Sequence, residues 1–135
     1  MTELLTKLRK VNVTALIFAV AMLSFALSIV LPISSIPSYF MPFPLTQDKD
    51  THVLMFALLT LITKLCLTMS ARRLIIVLVV MAIASEYAQA LLPYRSCNFE
   101  DFQANLLGIA IGYAVIVSCT AIGFLINKYY VRNYR

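Results

Sequence analysis

Four runs of apolar residues divide this chain, and prolines, acids and bases punctuate them. The first runs from Val13 to Leu31 (VTALIFAVAMLSFALSIVL). At about 1.5 Å per residue it is long enough to cross a hydrocarbon core of roughly 30 Å, so it predicts a helix over 13–31. Pro32, Pro37, Pro42 and Pro44 then interrupt any helix. With Phe40, Met41 and Phe43 they make an apolar, proline-stiffened loop suited to a membrane interface. A second helix is predicted over 51–69, its start falling between Asp48 and Thr51. Lys64 sits near its far end, where a long stem can carry the charge to the headgroups. Ser70 to Arg73 make a link so short that it implies an antiparallel hairpin, and helix 3 returns over 73–92 until Pro93 stops it. Asn98 is placed to cap a fourth helix over 99–126, and NKYYVRNYR follows as a basic, tyrosine-rich exit.

The expected fold is therefore all-α: one domain over 1–135, an integral-membrane four-helix antiparallel bundle. Composition strengthens this, because 61% hydrophobic residues, 13% charged residues and a mean hydropathy of +0.89 describe a chain that water would not keep dispersed. Four long apolar runs in 135 residues also leave no room for a separate soluble domain of ordinary size. The first run, preceded by Lys7, Arg9 and Lys10, has the outline of a signal peptide as well. Its length, and the lack of a small-x-small cleavage site in SIVLPISSIPS, favour a retained anchor.

Charge adds an orientation. Lys7, Arg9, Lys10, Lys64, Arg72, Arg73, Lys128, Arg132 and Arg135 fall on one side of this arrangement, nine of eleven basic residues. Only Lys49 and Arg95 fall on the other, so both termini are expected in the cytoplasm. With Glu3 as its one acid the basic side carries +8, and the opposite side carries −3, which together give the overall +5. The excess of positive charge thus serves insertion and contact with anionic membrane lipids, and nucleic acid is not an expected partner. Cys66, Cys97 and Cys119 lie on different elements without C-x-x-C spacing, which gives no basis for a disulfide or a cysteine metal site.

Against so apolar a background, the stretch SEYAQALLPYRSCNFEDFQANLLG, residues 85–108, is unusual in holding Glu86, Gln89, Arg95, Glu100, Asp101, Gln103 and Asn105. An antiparallel bundle brings the start of helix 2, the end of helix 3 and the start of helix 4 to one membrane face. Glu86 lies about 9 Å inside the end of helix 3, and Asn105 a similar distance inside helix 4, so the two are expected at equal depth. On helix 4, Asp101, Asn105, Gly108 and Gly112 form one stripe, and the G-x-x-x-G pair in it admits a close neighbouring helix. His52 and Phe56 share a face of helix 2.

The ordered series Asp48, Lys49, His52 and Phe56, then Glu86 and Gln89, then Arg95, then Asp101, Asn105 and Gly108 resembles the VanZ-like membrane protein family. The resemblance covers residues 48–112, about half the chain, and rests on polar positions spread over three helices. The family is named for a protein linked to low-level resistance to the glycopeptide antibiotic teicoplanin. The resemblance implies a small multi-pass protein of a bacterial cytoplasmic (inner) membrane, with a role in the cell envelope or antibiotic resistance. It carries no settled reaction.

Each of these residues also has a plain structural use. Asp48 suits an N-cap, Asn98 and Asp101 suit a cap and a charge at the positive end of helix 4, and Gln89 and Asn105 suit interhelical bonds. Glu86 asks for more, because a carboxylate at that depth needs a proton, a partner or a wet cavity. His52 and Arg95 are the cations available. Three readings stay open. In the first, Asp48, Lys49, His52, Glu86, Gln89, Arg95, Asp101 and Asn105 line an outward cleft for an amphiphilic ligand, such as a lipid-linked envelope precursor or a glycopeptide. In the second, the chain is an enzyme acting on a lipid-linked or phosphate-bearing substrate, with His52, Glu86 and Asp101 as its acid–base groups and Arg95 holding the anion. In the third, the cluster only ties helices together. No P-loop, nucleophile elbow or dinucleotide fingerprint promotes the enzyme or implies a cofactor, and His52, Glu86 and Asp101 lack the H-E-x-x-H spacing of a zinc site. The oligomeric state is not legible.

Overall fold

A computed structural model gives the protein's architecture over residues 2–30, 48–93 and 98–134, and every regular element among these is α-helix. α1 spans Thr2–Val30, α2 Asp48–Cys66, α3 Ala71–Ala90 and α4 Phe99–Tyr134. The proline-rich loop and the turn that carries Arg95 and Cys97 lie outside the described residues, as do the side chains of residues 2–12 and of Asp48.

The helix ends depart from hydropathy in instructive ways. α1 begins at Thr2 and α4 continues to Tyr134, beyond the 13–31 and 99–126 read from the apolar runs. Hydropathy marks where an apolar surround begins, whereas a helix can continue into polar residues while nothing interrupts its backbone, and neither Lys7–Asn12 nor Asn127–Asn133 contains a proline or glycine. α2 stops at Cys66, short of Met69, because the chain needs four residues to reverse. There the Leu67 N–H bonds the Thr63 carbonyl and Lys64 Nζ donates to the Met69 carbonyl at 3.0 Å. Lys64 therefore closes the α2–α3 turn as well as marking its charge. α3 takes in Arg72 and Arg73 and ends at Ala90, with Leu91 and Leu92 bonded back to Ala88 and Gln89 ahead of Pro93.

Three segments, Val13–Val30, Ala71–Ala90 and Phe99–Asn133, are long and apolar enough to cross a membrane. α2 is not among them, since Asp48, Lys49, Asp50 and Lys64 break its apolar run. Its place in the fold accounts for this: α2 touches all three other helices, most extensively α4, and so meets protein where the others meet their surroundings. Phe25 of α1 packs edge-on to Phe56 of α2, ring centres 5.5 Å apart. Phe56, Leu59, Leu74, Leu78, Ala82 and Ile109 form the core between α2, α3 and α4.

Polarity is distributed inside out. Thr60, Thr63, Ser85, Glu86, Gln89 and Asn105 are buried, while Leu16, Val20, Leu23, Ile76, Val80 and Leu125 are exposed. A protein in water would reverse that arrangement, because each exposed Leu, Ile or Val forgoes about 1.5–3 kcal/mol of burial. The surface is matched to a hydrocarbon surround, and the chain is a membrane protein in that coarse sense.

A candidate polar site between three helices

Close approach of α4 to α2 creates the site. Gly108 faces the Val53 carbonyl and Phe56, and Gly112 faces the Ala57 carbonyl and Thr60; a Cβ on Gly108 would fall 2.4 Å from the Val53 oxygen, and one on Gly112 would fall 2.7 Å from that of Ala57. No side chain fits there. Because numbering rises along both helices from contact to contact, α2 and α4 run in the same direction. One turn before Gly108 on that stripe, the contact delivers Asn105 between His52 and Glu86.

The three side chains form a continuous hydrogen-bonded line. His52 Nδ1 lies 2.8 Å from Asn105 Oδ1, and Asn105 Nδ2 donates to Glu86 Oε1 at 2.8 Å. An amide oxygen only accepts, so Nδ1 of His52 must carry the hydrogen, which leaves Nε2 as the acceptor in the neutral ring. His52 Nδ1 is also 4.0 Å from Glu86 Oε1, and the two side chains are 11% and 5% exposed. Asn105 is fully buried. Among the described residues the second carboxylate oxygen, Glu86 Oε2, is buried without a well-formed hydrogen bond, as are the hydroxyls of Thr51 and Thr63, although the Asn98 backbone N–H lies close enough to act on the carboxylate.

The remaining expected site residues separate by depth. Gln89 is buried on α3 one turn from Glu86, and Asp101 is half-buried on α4, near enough for its charge to act on Glu86. Lys49 does not reach the line; it pairs with Glu100 at the exposed rim, an ion pair that sequence reading did not identify. Asn98 accepts from the Glu100 N–H through its side chain, which fits its expected cap role. Asp48 and Arg95 have no described side-chain placement. Thr60 bonds the Phe56 carbonyl one turn back and Ser85 the Ala82 carbonyl, so these buried hydroxyls are satisfied within their own helices. Among the described residues no group of three or more His, Cys, Asp or Glu could hold a metal ion. Cys66 and Cys119 are free thiols.

Chemically, the line can orient a histidine, keep one carboxylate oxygen occupied and leave the other available to a donor. No family model, no curated protein and no solved structure matches the chain.

Proposed function

We propose that this protein is a VanZ-like multi-pass protein of the bacterial inner membrane, part of the cell envelope. In this reading its polar cluster faces outward and binds an amphiphilic or lipid-linked ligand. The observation that carries the reading is Glu86 Oε2, a buried carboxylate oxygen without a well-formed hydrogen bond among the described residues, beside an otherwise bonded line. Leaving such a group unsatisfied costs about 1–3 kcal/mol or more, and a ligand that brings a hydroxyl or amine to it recovers that cost. The ligand enters over the rim of Lys49, Glu100 and Asp101, its tail lying in lipid and its polar head at Glu86 and His52. A glycopeptide, or an envelope precursor on a lipid carrier, has donors of this kind.

A second reading has one observation in its favour. Asn105 fixes the His52 tautomer so that Nε2 is free to take a proton, the arrangement a general base needs. The protein would then be an integral-membrane enzyme acting on a lipid-linked or phosphate-bearing substrate.

The isosteric variant Glu86→Gln tests both, because it keeps the acceptor for Asn105 and replaces Oε2 by a donor. In a deletion strain, Glu86→Gln and Asp101→Asn are expected to lose complementation while their melting stays normal. Wild-type complementation by both would leave only a structural network. Loss of complementation by His52→Gln, with turnover of a polyprenyl-phosphate substrate by the wild type alone, would select the enzyme. In this reading the chain crosses four times, and the nine-to-two division of basic residues that results puts both termini in the cytoplasm. Single cysteines replacing Gln47 or Ser96 in a cysteine-free background should then react with an impermeant thiol reagent from outside, and one replacing Ala71 should not. The reverse labelling would invert the topology.

A further inference from the structure

The opposite end of the bundle holds cations that no carboxylate meets among the described residues. The acidic residues of the chain are Glu3, Asp48, Asp50, Glu86, Glu100 and Asp101, so the second half of α2, the first fifteen residues of α3 and all of α4 after Asp101 have none. In that same region stand Lys64, Arg72, Arg73, Lys128 and Arg132. Among the described residues the ion pairs join Lys49 to Glu100 and His52 to Glu86, both at the far end. Glu3 is the one acid that the sequence puts at this end, against nine basic residues, so most of the counter-charge has to come from outside the chain.

A groove of about 510 Å³ opens beside Lys64, between the end of α2, the start of α3 and the middle of α4. Leu74, fully buried, closes its deep end, and exposed Ala71, Ala121 and Phe124 form its mouth. The walls are mostly apolar; of the two hydroxyl-bearing α4 residues that line them, Tyr113 and Thr120, Thr120 spends its hydroxyl on the Ile116 carbonyl. Lys64 is half-buried at the side and uses one of its three N–H donors on the Met69 carbonyl, leaving two for another acceptor. Arg72 and Arg73 follow Ala71 at the mouth and are exposed.

A trough with an apolar closed end and cations at its mouth matches an acyl chain that ends in a phosphodiester. We propose that this groove binds one anionic phospholipid, its phosphate on Lys64 with Arg72 and Arg73 around it, and an acyl chain against Val117 and Leu74. The site rests on the membrane reading but not on the His52–Glu86 cluster, which lies about 18 Å away along α2. Its role is to fix the α2–α3 turn against α4 by neutralising charge that no described carboxylate meets.

Native mass spectrometry of the full chain in detergent, titrated with phosphatidylglycerol or phosphatidylcholine of matched acyl chains, tests this. Wild-type protein is expected to hold a single phosphatidylglycerol about tenfold more tightly than phosphatidylcholine, the size of effect one charge-assisted contact supplies. Lys64→Gln should erase that preference, and Lys64→Arg should keep it. Ala121→Phe, which fills the mouth from an exposed position, should weaken both lipids. Should Lys64→Gln fail to melt cooperatively, Lys64→Arg and Ala121→Phe still decide the matter. Equal binding of the two lipids by wild type would overturn the site. So would unchanged phosphatidylglycerol binding by Ala121→Phe, or a ladder of equivalent lipids with no first tight step.

Discussion

Gly108 and Gly123 lie about four turns apart on one helix, in stretches of similar hydropathy, and their surroundings could hardly differ more. A Cβ at position 108 would meet the backbone of α2 at 2.4 Å, whereas one at position 123 would meet nothing within 4 Å. The same division runs through α4 as a whole. Its first half supplies buried Ala104, Asn105, Gly108, Ile109 and Gly112, and every described residue from Val117 onward is exposed. A glycine in an apolar helix thus has no fixed meaning. What matters is whether a neighbouring backbone uses the space, and on α4 that happens only where polar side chains must be brought together.

The sharpest way to break this contrast is Gly108→Leu. Its side chain would begin inside contact distance of a backbone carbonyl that cannot turn away, so α4 has to separate from α2. The loss is expected to exceed the roughly 1–3 kcal/mol of an ordinary overpacked core, because the His52–Asn105 bond goes with it. The chain has no tryptophan, so circular dichroism in detergent is the measurement. A melting temperature equal to that of wild type would mean that α4 does not pack through this stripe.

Asn105→Leu comes next. It keeps the volume but leaves the His52 N–H and Glu86 Oε1 without partners, at about 1–3 kcal/mol for each orphaned group. Interhelical hydrogen bonds in membranes average only about 0.6 kcal/mol, so the size of the loss separates two ideas. A drop near that average would mean that the groups find other partners, and the line would lose its claim to hold His52 in one tautomer. A larger drop is expected, since Asn105 is fully buried and Glu86 nearly so.

How much of this the sequence disclosed also follows the contrast. The meeting of Glu86 with Asn105 was legible because depth along a helix is a matter of counting residues from its end, and both could be counted from Pro93 and Asn98. The stripe of Asn105, Gly108 and Gly112 was legible from helical phase. Burial of Thr60 and Thr63 was not, since it depends on α2 being the helix that all the others touch, and that comes from packing between elements rather than from any period along one. Pairing of Lys49 with Glu100, 51 residues apart, was hidden for the same reason. Helix ends at Thr2 and Tyr134 were missed because an apolar count stops where polar residues begin, while backbone hydrogen bonding does not.

Alanine at the two glycines makes the smallest and cleanest test, because one methyl is added in each case and only the neighbours differ. At position 108 that methyl meets the Val53 oxygen and Phe56 Cβ at 2.4 and 2.9 Å, so either α4 or α2 must shift. Gly108→Ala is expected to cost about 1–3 kcal/mol. At position 123 the methyl meets no neighbour, and alanine restricts the unfolded backbone more than glycine does. Gly123→Ala is expected to stabilise the helix by at most about 1 kcal/mol. Opposite signs in the two melting shifts would establish that the first half of α4 is packed and the second is not. If Gly123→Ala lowered the melting temperature by as much as Gly108→Ala, something outside the chain would have to lie against α4 at position 123. A second copy of the protein is one such neighbour, and sedimentation of both variants at matched detergent would reveal it as a change in mass.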